Sequence, residues 1–290
     1  MDHSASEFFA FLIEADGKKV IYTGDYRAHG HTDRAFRRFL DVDMGKIDLL
    51  ITEGTQAAVL DGQNEKDVMR DIERHINDND CPAYALCSGQ NIALLSSLGA
   101  IAERMGRYLV VDSYIALVLE TLKGMMLKRR SKPLNIPGLD KDYLKVTDIA
   151  IRSVRKYYPE CTDRIMEKLV DWKWVNSNLD RAIIPVRTTS KRWIKKEIKN
   201  IKTGILIYSM WEGYLEEEGY IESVKFFQNK GIKMKAAHIL GHAYFSTIKK
   251  LVENKKPGKI LPVHTEHPEI FQQEFGDNVL SVKNGDTIEI

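Results

Sequence analysis

Cysteine is scarce in this chain: three residues, Cys81, Cys87 and Cys161, among 290, with no C-x-x-C spacing. An odd count without paired spacing argues against a disulfide framework and a zinc knuckle, and it fits a reducing compartment, the cytoplasm. A long uninterrupted apolar run is also missing. The most apolar window, Tyr108 to Leu127, is broken by Asp112, Glu120 and Lys123, so it reads as buried strand and helix, and no membrane partner is expected. The opening Met1-Asp2-His3-Ser4 has no basic n-region and runs straight into strand-like sequence, which argues against a cleavable signal. Nor does one sign of charge dominate: 43 basic residues face 41 acidic ones, a net charge of +2. Any nucleic-acid surface must therefore be local.

What is present describes a globular α/β protein. Apolar residues make up 43% and charged residues 29%, and the length suffices for a full core. Phe8 to Ile13 and Val20 to Thr23 flank Asp16-Gly17, a strong hairpin signal because a type I′ turn needs positive φ at both central residues. A third strand over Ile47 to Thr52 ends at Glu53-Gly54-Thr55. Beyond Asn64 the period changes. Val68, Ile72 and Ile76 recur every fourth residue and predict a helix over 65–77. Strands over 82–86 and 108–111 then enclose a helix over 91–104, the alternation of a parallel, doubly wound sheet. Residues 123–181 read as basic and helical. Strands over 183–186 and 204–209 flank a basic helix over 191–202. A β-type run at 236–239, a helix over 245–254 and a buried strand over 259–264 follow. The tail, 279–290, reads as a closing hairpin around Asn284-Gly285-Asp286. The pattern gives a β-rich segment over 1–57, an inserted α/β unit over 58–236, and a return to the first unit over 237–290.

Polar groups at strand ends beside glycine are where sites are commonly built. His3, Asp25 and His264 offer imidazole and carboxylate donors, the ligand types of a hydrolytic zinc centre. Spacing alone leaves Asp25 equally readable as a turn residue and His264 as a hydrogen-bonded loop histidine. Glu53 and His242 form a second candidate pair, since a carboxylate that holds an imidazole makes a general acid near neutral pH. The plainer reading makes Glu53 a strand-end cap and His242 a residue at a helix N-terminus. His238 and Gly241 stand just before that helix, whose N-terminus attracts anions.

The chain resembles the metallo-β-lactamase-fold hydrolases of the β-CASP family, which include ribonuclease J-type, mRNA-cleavage and DNA-repair nucleases. Asp2-His3-Ser4 is similar to the family's third metal motif and Thr23-Gly24-Asp25-Tyr26-Arg27 to its fourth. Thr52-Glu53-Gly54-Thr55 is similar to motif A, His238 to Ala243 to motif B, and Pro262-Val263-His264-Thr265-Glu266 to motif C. Ser88 to Ile92 and Tyr208 to Tyr214 resemble segments of the family's inserted domain.

The resemblance implies a metallo-β-lactamase-type αββα sandwich, N-terminally incomplete, with an inserted parallel α/β domain. It further implies that His3 binds a first zinc, Asp25 bridges and His264 binds a second, with two Zn2+ in the complete family site. Glu53 then supports His242 as general acid, while His238, Ser209 and Gly241 contact the substrate. The implied reaction is hydrolysis of a nucleic-acid phosphodiester, RNA before DNA, with this N-terminally incomplete chain expected to be inactive alone and to hold one zinc or none. Two other readings stand beside it: a non-catalytic nucleic-acid-binding or scaffold remnant, and a small-molecule metallo-hydrolase.

Two features depart from the family. Leu240 takes the place of a small hydroxyl residue. The His-x-His-x-Asp-His signature is expected upstream of His3, and neither His29-Gly30-His31 nor His264 to His267 supplies it. An incomplete sheet carries an open edge, so lowered stability or self-association as a homo-oligomer is expected. Basic residues Lys128, Arg129, Arg130, Lys191, Arg192, Lys195 and Lys196 are candidate phosphate contacts or merely solvated charges. Trp172, Trp174, Trp193 and Trp211 are candidate stacking residues or core.

Overall fold

A computed structural model describes residues 9–30, 33–77, 81–128, 135–199, 201, 203–283 and 285–290. In chain order the elements are β1 (Phe11–Ala15), β2 (Lys18–Tyr22), α1 (Asp33–Asp41), β3 (Leu49–Glu53), α2 (Glu65–Asn77), β4 (Ala83–Leu86), α3 (Ile92–Arg104), β5 (Tyr108–Asp112), α4 (Ser113–Lys128), β6 (Leu144–Thr147) and α5 (Ile151–Tyr157). There follow α6 (Pro159–Met166), α7 (Trp172–Ser177), β7 (Ala182–Val186), α8 (Lys191–Glu197), β8 (Ile205–Tyr208), α9 (Glu218–Gln228), β9 (Lys233–Ala236), α10 (Phe245–Lys255), β10 (Lys259–Val263) and α11 (Pro268–Phe275). This is a mixed α/β protein with two sheets rich in parallel pairing. Among the described residues no helix is long and apolar enough to cross a membrane.

The chain divides into two compact units, one comprising Met1–Glu65 with Leu240–Ile290 and the other Lys66–Ile239. These divisions fall beyond the positions 57 and 236 read from the sequence. The reason lies in the stretch 58–65, which is tied to the first unit. Phe245 N–H donates to Val59 O (3.0 Å), Ser246 N–H to Leu60 O (3.0 Å) and Glu65 N–H to His29 O (3.0 Å).

The first unit is built on a sheet of order β1-β2-β3-β10. β1 and β2 are antiparallel, with Ala15 opposite Lys18, so the turn is Asp16-Gly17 alone. Its φ values of +50° and +74° are those a type I′ turn requires. β2, β3 and β10 run parallel to one another. One face carries Ile21, Leu50 and Ile260 onto Phe36 of α1, Phe245, Ile248 and Leu251 of α10, and Phe271 of α11. The other face alternates out of phase and is apolar too: Phe11, Ile13, Val20, Tyr22, Leu49, Ile51 and Leu261. Phe11, Ile13 and Tyr22 on it are 57%, 50% and 41% exposed. A sheet solvated on one face would place polar residues there.

The second unit holds a fully parallel sheet of order β6-β5-β7-β4-β8-β9. Successive strand residues feed opposite cores. Ala83, Ala85, Leu109, Val111, Ile183, Ile205 and Ile207 join the cluster containing α2, α3 and α4. Tyr84, Leu86, Val110, Ile184, Leu206 and Tyr208 join the one containing α8 and α9. Burial on both faces explains why these strands read as continuous apolar runs.

Several sequence expectations are corrected. β6 lies inside the segment read as helical. The helix expected over 191–202 stops at Glu197, because the Asn176 side chain competes for its end. Asn176 donates to Glu197 O (2.9 Å) and accepts from Lys199 N–H (2.9 Å), while Ile198 turns extended. The strand expected at 236–239 is β9, ending at Ala236. The tail forms no hairpin among its described residues. Val279 instead bridges Ile260 and Leu280 N–H donates to Ile260 O (2.8 Å).

Candidate metal centre

The site forms because three parallel strands end side by side. Tyr22 of β2 pairs with Ile51 of β3, and Glu53, the last residue of β3, pairs with Val263, the last of β10. The residues leaving these strands therefore meet. Thr23 N–H continues the ladder by donating to Ile51 O (3.0 Å), Gly24 turns the chain at φ +56°, and Asp25 follows. His264 stands directly after β10, its backbone in the left-handed region at φ +50°, which is costly for a residue with a Cβ. Thr55 secures that conformation, its hydroxyl donating to His264 O (3.1 Å).

Glu53 organises the interior of the site. It is buried, and its Oε1 accepts from Tyr26 N–H (2.9 Å) and Ala243 N–H (3.1 Å). Its Oε2 lies 2.9 Å from His242 Nδ1. A carboxylate only accepts, so Nδ1 carries the proton and Nε2 is left for chemistry. Burial opposes charging of His242, but the hydrogen bond and charge of Glu53, with the charge of Asp25, outweigh it and hold the imidazole pKa above its usual value. Asp25 Oδ1 is 3.1 Å from His264 Nδ1, and the His242 and His264 rings meet edge to face at 5.3 Å. Donor atoms of Asp25, Glu53, His242 and His264 all lie within 4.8 Å of one another.

The donor set suits a metal ion only in part. The Asp25–His264 separation is close to the roughly 3.3 Å between neighbouring ligands on a tetrahedral centre with bonds of about 2 Å. Glu53 is different, since both of its oxygens are already engaged. It serves as the support of His242 rather than as a ligand.

The sequence candidates are thus distributed as follows. Asp25, Glu53, His242 and His264 come together, and Gly241 is buried beside His242. Ser209 follows β8 in the second unit, buried, with its N–H donating to Leu86 O (3.0 Å). His238 follows β9, half-buried. His3, Arg129 and Arg130 lie outside the described residues. Trp172, Trp174 and Trp193 pack against the second unit's core, whereas Trp211 is exposed. Lys191 and Lys196 are ion-paired with Glu222 and Glu197.

Further residues contribute to which the sequence assigned no role of their own. Thr55 is one. Arg27 and His29 are two more: Arg27 Nη1 donates to Leu240 O (3.5 Å) and His29 Nε2 lies 3.0 Å from the same oxygen, bracing the loop that carries His242. Arg27 is also buried against Glu65 (3.4 Å). A basic residue two positions after Asp25 was visible as a signal, but its partner at 240 was not.

No protein-family model matches the chain, and no curated protein matches it. Among solved structures, a crystal structure titled as a protein of unknown function from Enterococcus faecalis V583 is similar, with a TM-score of 0.70 and 17% identity. The likeness shows the fold alone. It covers 98% of this chain and 61% of that one, so the chain spans about three-fifths of the length of that protein.

Proposed function

We propose that this chain carries part of the active site of a zinc-dependent phosphodiester hydrolase, a nuclease of the β-CASP type. One observation supports this most: Asp25, Glu53, His242 and His264 converge where three adjacent parallel strands end, with Glu53 fully committed to holding His242. Asp25 and His264 are the residues that would hold zinc, and His3 is the further ligand the resemblance implies. When bound, zinc supplies Lewis acidity and a water activated near neutral pH.

The protein's own residues do the rest. Glu53 fixes the tautomer of His242 and favours its protonated form, so that Nε2–H can donate to the leaving oxygen of the scissile ester. Thr55 fixes the backbone that aims His264. Gly241 is assigned to the phosphate, the role the resemblance also implies for His238 and Ser209, and the polymer is RNA before DNA, acted on in the cytoplasm. The apolar second face of the β1-β2-β3-β10 sheet supports an αββα sandwich, because such a face calls for a second packed layer.

The test is hydrolysis of an end-labelled single-stranded RNA and of a simple phosphodiester with zinc added. His242→Asn and Asp25→Asn should each lower the rate by at least about 100-fold while thermal stability is retained. Measurable zinc-dependent hydrolysis by the wild type that both variants leave unchanged would refute the assignment. The reading as a non-catalytic remnant draws on one observation. With Glu53 engaged, Asp25 and His264 are the remaining pair of donors beside His242 among the described residues, fewer than a closed zinc site uses.

A further inference from the structure

Trp211 is the tryptophan that stands in solvent, 56% exposed, while Trp172, Trp174 and Trp193 pack against the core of the second unit. It is held there rigidly. Its ring meets Tyr214 edge-on at 5.5 Å, and Tyr214 stacks on Tyr220 at 4.9 Å with planes 9° apart. Tyr220, with Met210 and Leu215, packs on the apolar core, anchoring the row. Tyr208 Oη donates to Trp211 O (3.0 Å) and Tyr214 N–H to the same oxygen (3.1 Å). Gly213 completes the seat, because a Cβ there would fall 2.3 Å from the indole ring. A flat aromatic surface is thus offered to solvent in a fixed pose, the arrangement that dominates binding energy at protein interfaces.

The segment that carries this platform bears charge of one sign. The stretch Trp211-Glu212-Gly213-Tyr214-Leu215-Glu216-Glu217-Glu218-Gly219-Tyr220 contains no Lys or Arg, and all of its glutamates are exposed. Burial chiefly, and then the charges of Tyr220, Glu212, Glu217 and Tyr214, push the Tyr208 hydroxyl up to about 12. Glu217 and Glu218 open α9, where a helix N-terminus favours carboxylates. That accounts for two of the charges but not for an unshielded tryptophan beside them. These carboxylates form no metal-holding group among the described residues.

We propose that the Trp211–Tyr214–Tyr220 face docks a cationic polypeptide segment rich in arginine or lysine. A guanidinium or ammonium group lies over the Trp211 ring, and neighbouring cations pair with Glu212 and Glu216. The chemistry selects this occupant. Aromatic faces attract cations through the ring quadrupole, most strongly for tryptophan. A polynucleotide could stack on Trp211, but its phosphates would meet the glutamates and be repelled. A purely apolar partner would have to bury those carboxylates without compensation. The inference is independent of the hydrolase reading.

The test is fluorescence anisotropy of a labelled Arg-Gly repeat decapeptide titrated with the full chain. A Ser-Gly repeat peptide is the control, and a labelled oligonucleotide is titrated separately. Wild type should bind the Arg-Gly peptide and not the Ser-Gly peptide, and any binding of the oligonucleotide should be unaffected by Trp211→Ala. Trp211→Ala should weaken binding about tenfold with an unchanged melting temperature, since Trp211 is exposed. The double variant Glu212→Gln/Glu216→Gln should weaken it and flatten its salt dependence. Three results would each overturn the proposal: no binding of the Arg-Gly peptide, binding that Trp211→Ala leaves untouched, or binding of the oligonucleotide that Trp211→Ala weakens.

Discussion

Glu53 Oε2 sits 2.9 Å from His242 Nδ1 across a sequence separation of 189 residues, and the other oxygen of the same carboxylate is held by two backbone N–H groups. An imidazole so placed keeps its proton to higher pH than histidine ordinarily does. Glu53→Gln keeps an acceptor for the backbone but removes the charge. In chelator-treated protein, the His242 pKa followed by NMR should fall in the variant. The linkage has a definite sign. A raised folded-state value means that this part of the stability is fully present below the ordinary histidine pKa and is lost as pH rises through the folded value. The stability gap between wild type and Glu53→Gln should therefore narrow with rising pH through that window. A gap that widens would contradict the assignment.

The buried pair Arg27–Glu65 predicts a large cost on breaking it from one side. Arg27→Met or Glu65→Ala alone should destabilise by about 3–5 kcal/mol in urea unfolding. The double variant should be less unstable than the sum of the singles, since both singles lose the same interaction. Strict additivity would show that the two do not interact.

The exposed apolar strand β1 carries a third expectation. Phe11 and Ile13 face solvent on the second face of the first sheet, so the protein should self-associate as its concentration rises. Phe11→Lys/Ile13→Lys should restore a single monomeric species in light scattering and leave the melting temperature within a few degrees. Unchanged association would place the contact elsewhere.

The legible parts of this chain were those written in local pattern. Asp16-Gly17 specified its own turn, and Val68, Ile72 and Ile76 specified α2. Strand ends beside glycine pointed to Asp25 and Glu53, and an apolar run before it to His264. The illegible parts depend on residues distant in sequence. Asn176 ends α8 from another segment, and Thr55 acts on a residue 209 positions away. Leu144 to Thr147 is too short to announce a strand between helices, and pairing with β5 and a bridge from Val146 to Leu169 make it one. The tail resembled a hairpin because Asn284-Gly285-Asp286 favours a turn, but Val279 found its partner in Ile260 instead.

Binding of a divalent metal tests the central claim most directly. Apo protein titrated with Co2+ as a spectroscopic stand-in for zinc should develop ligand-field bands at a saturable stoichiometry of at least one per chain. Asp25→Asn/His264→Gln should abolish them, and Glu53→Gln should preserve them because Glu53 holds His242 and not the metal. No saturable binding, or binding indifferent to the loss of Asp25 and His264, would contradict the account.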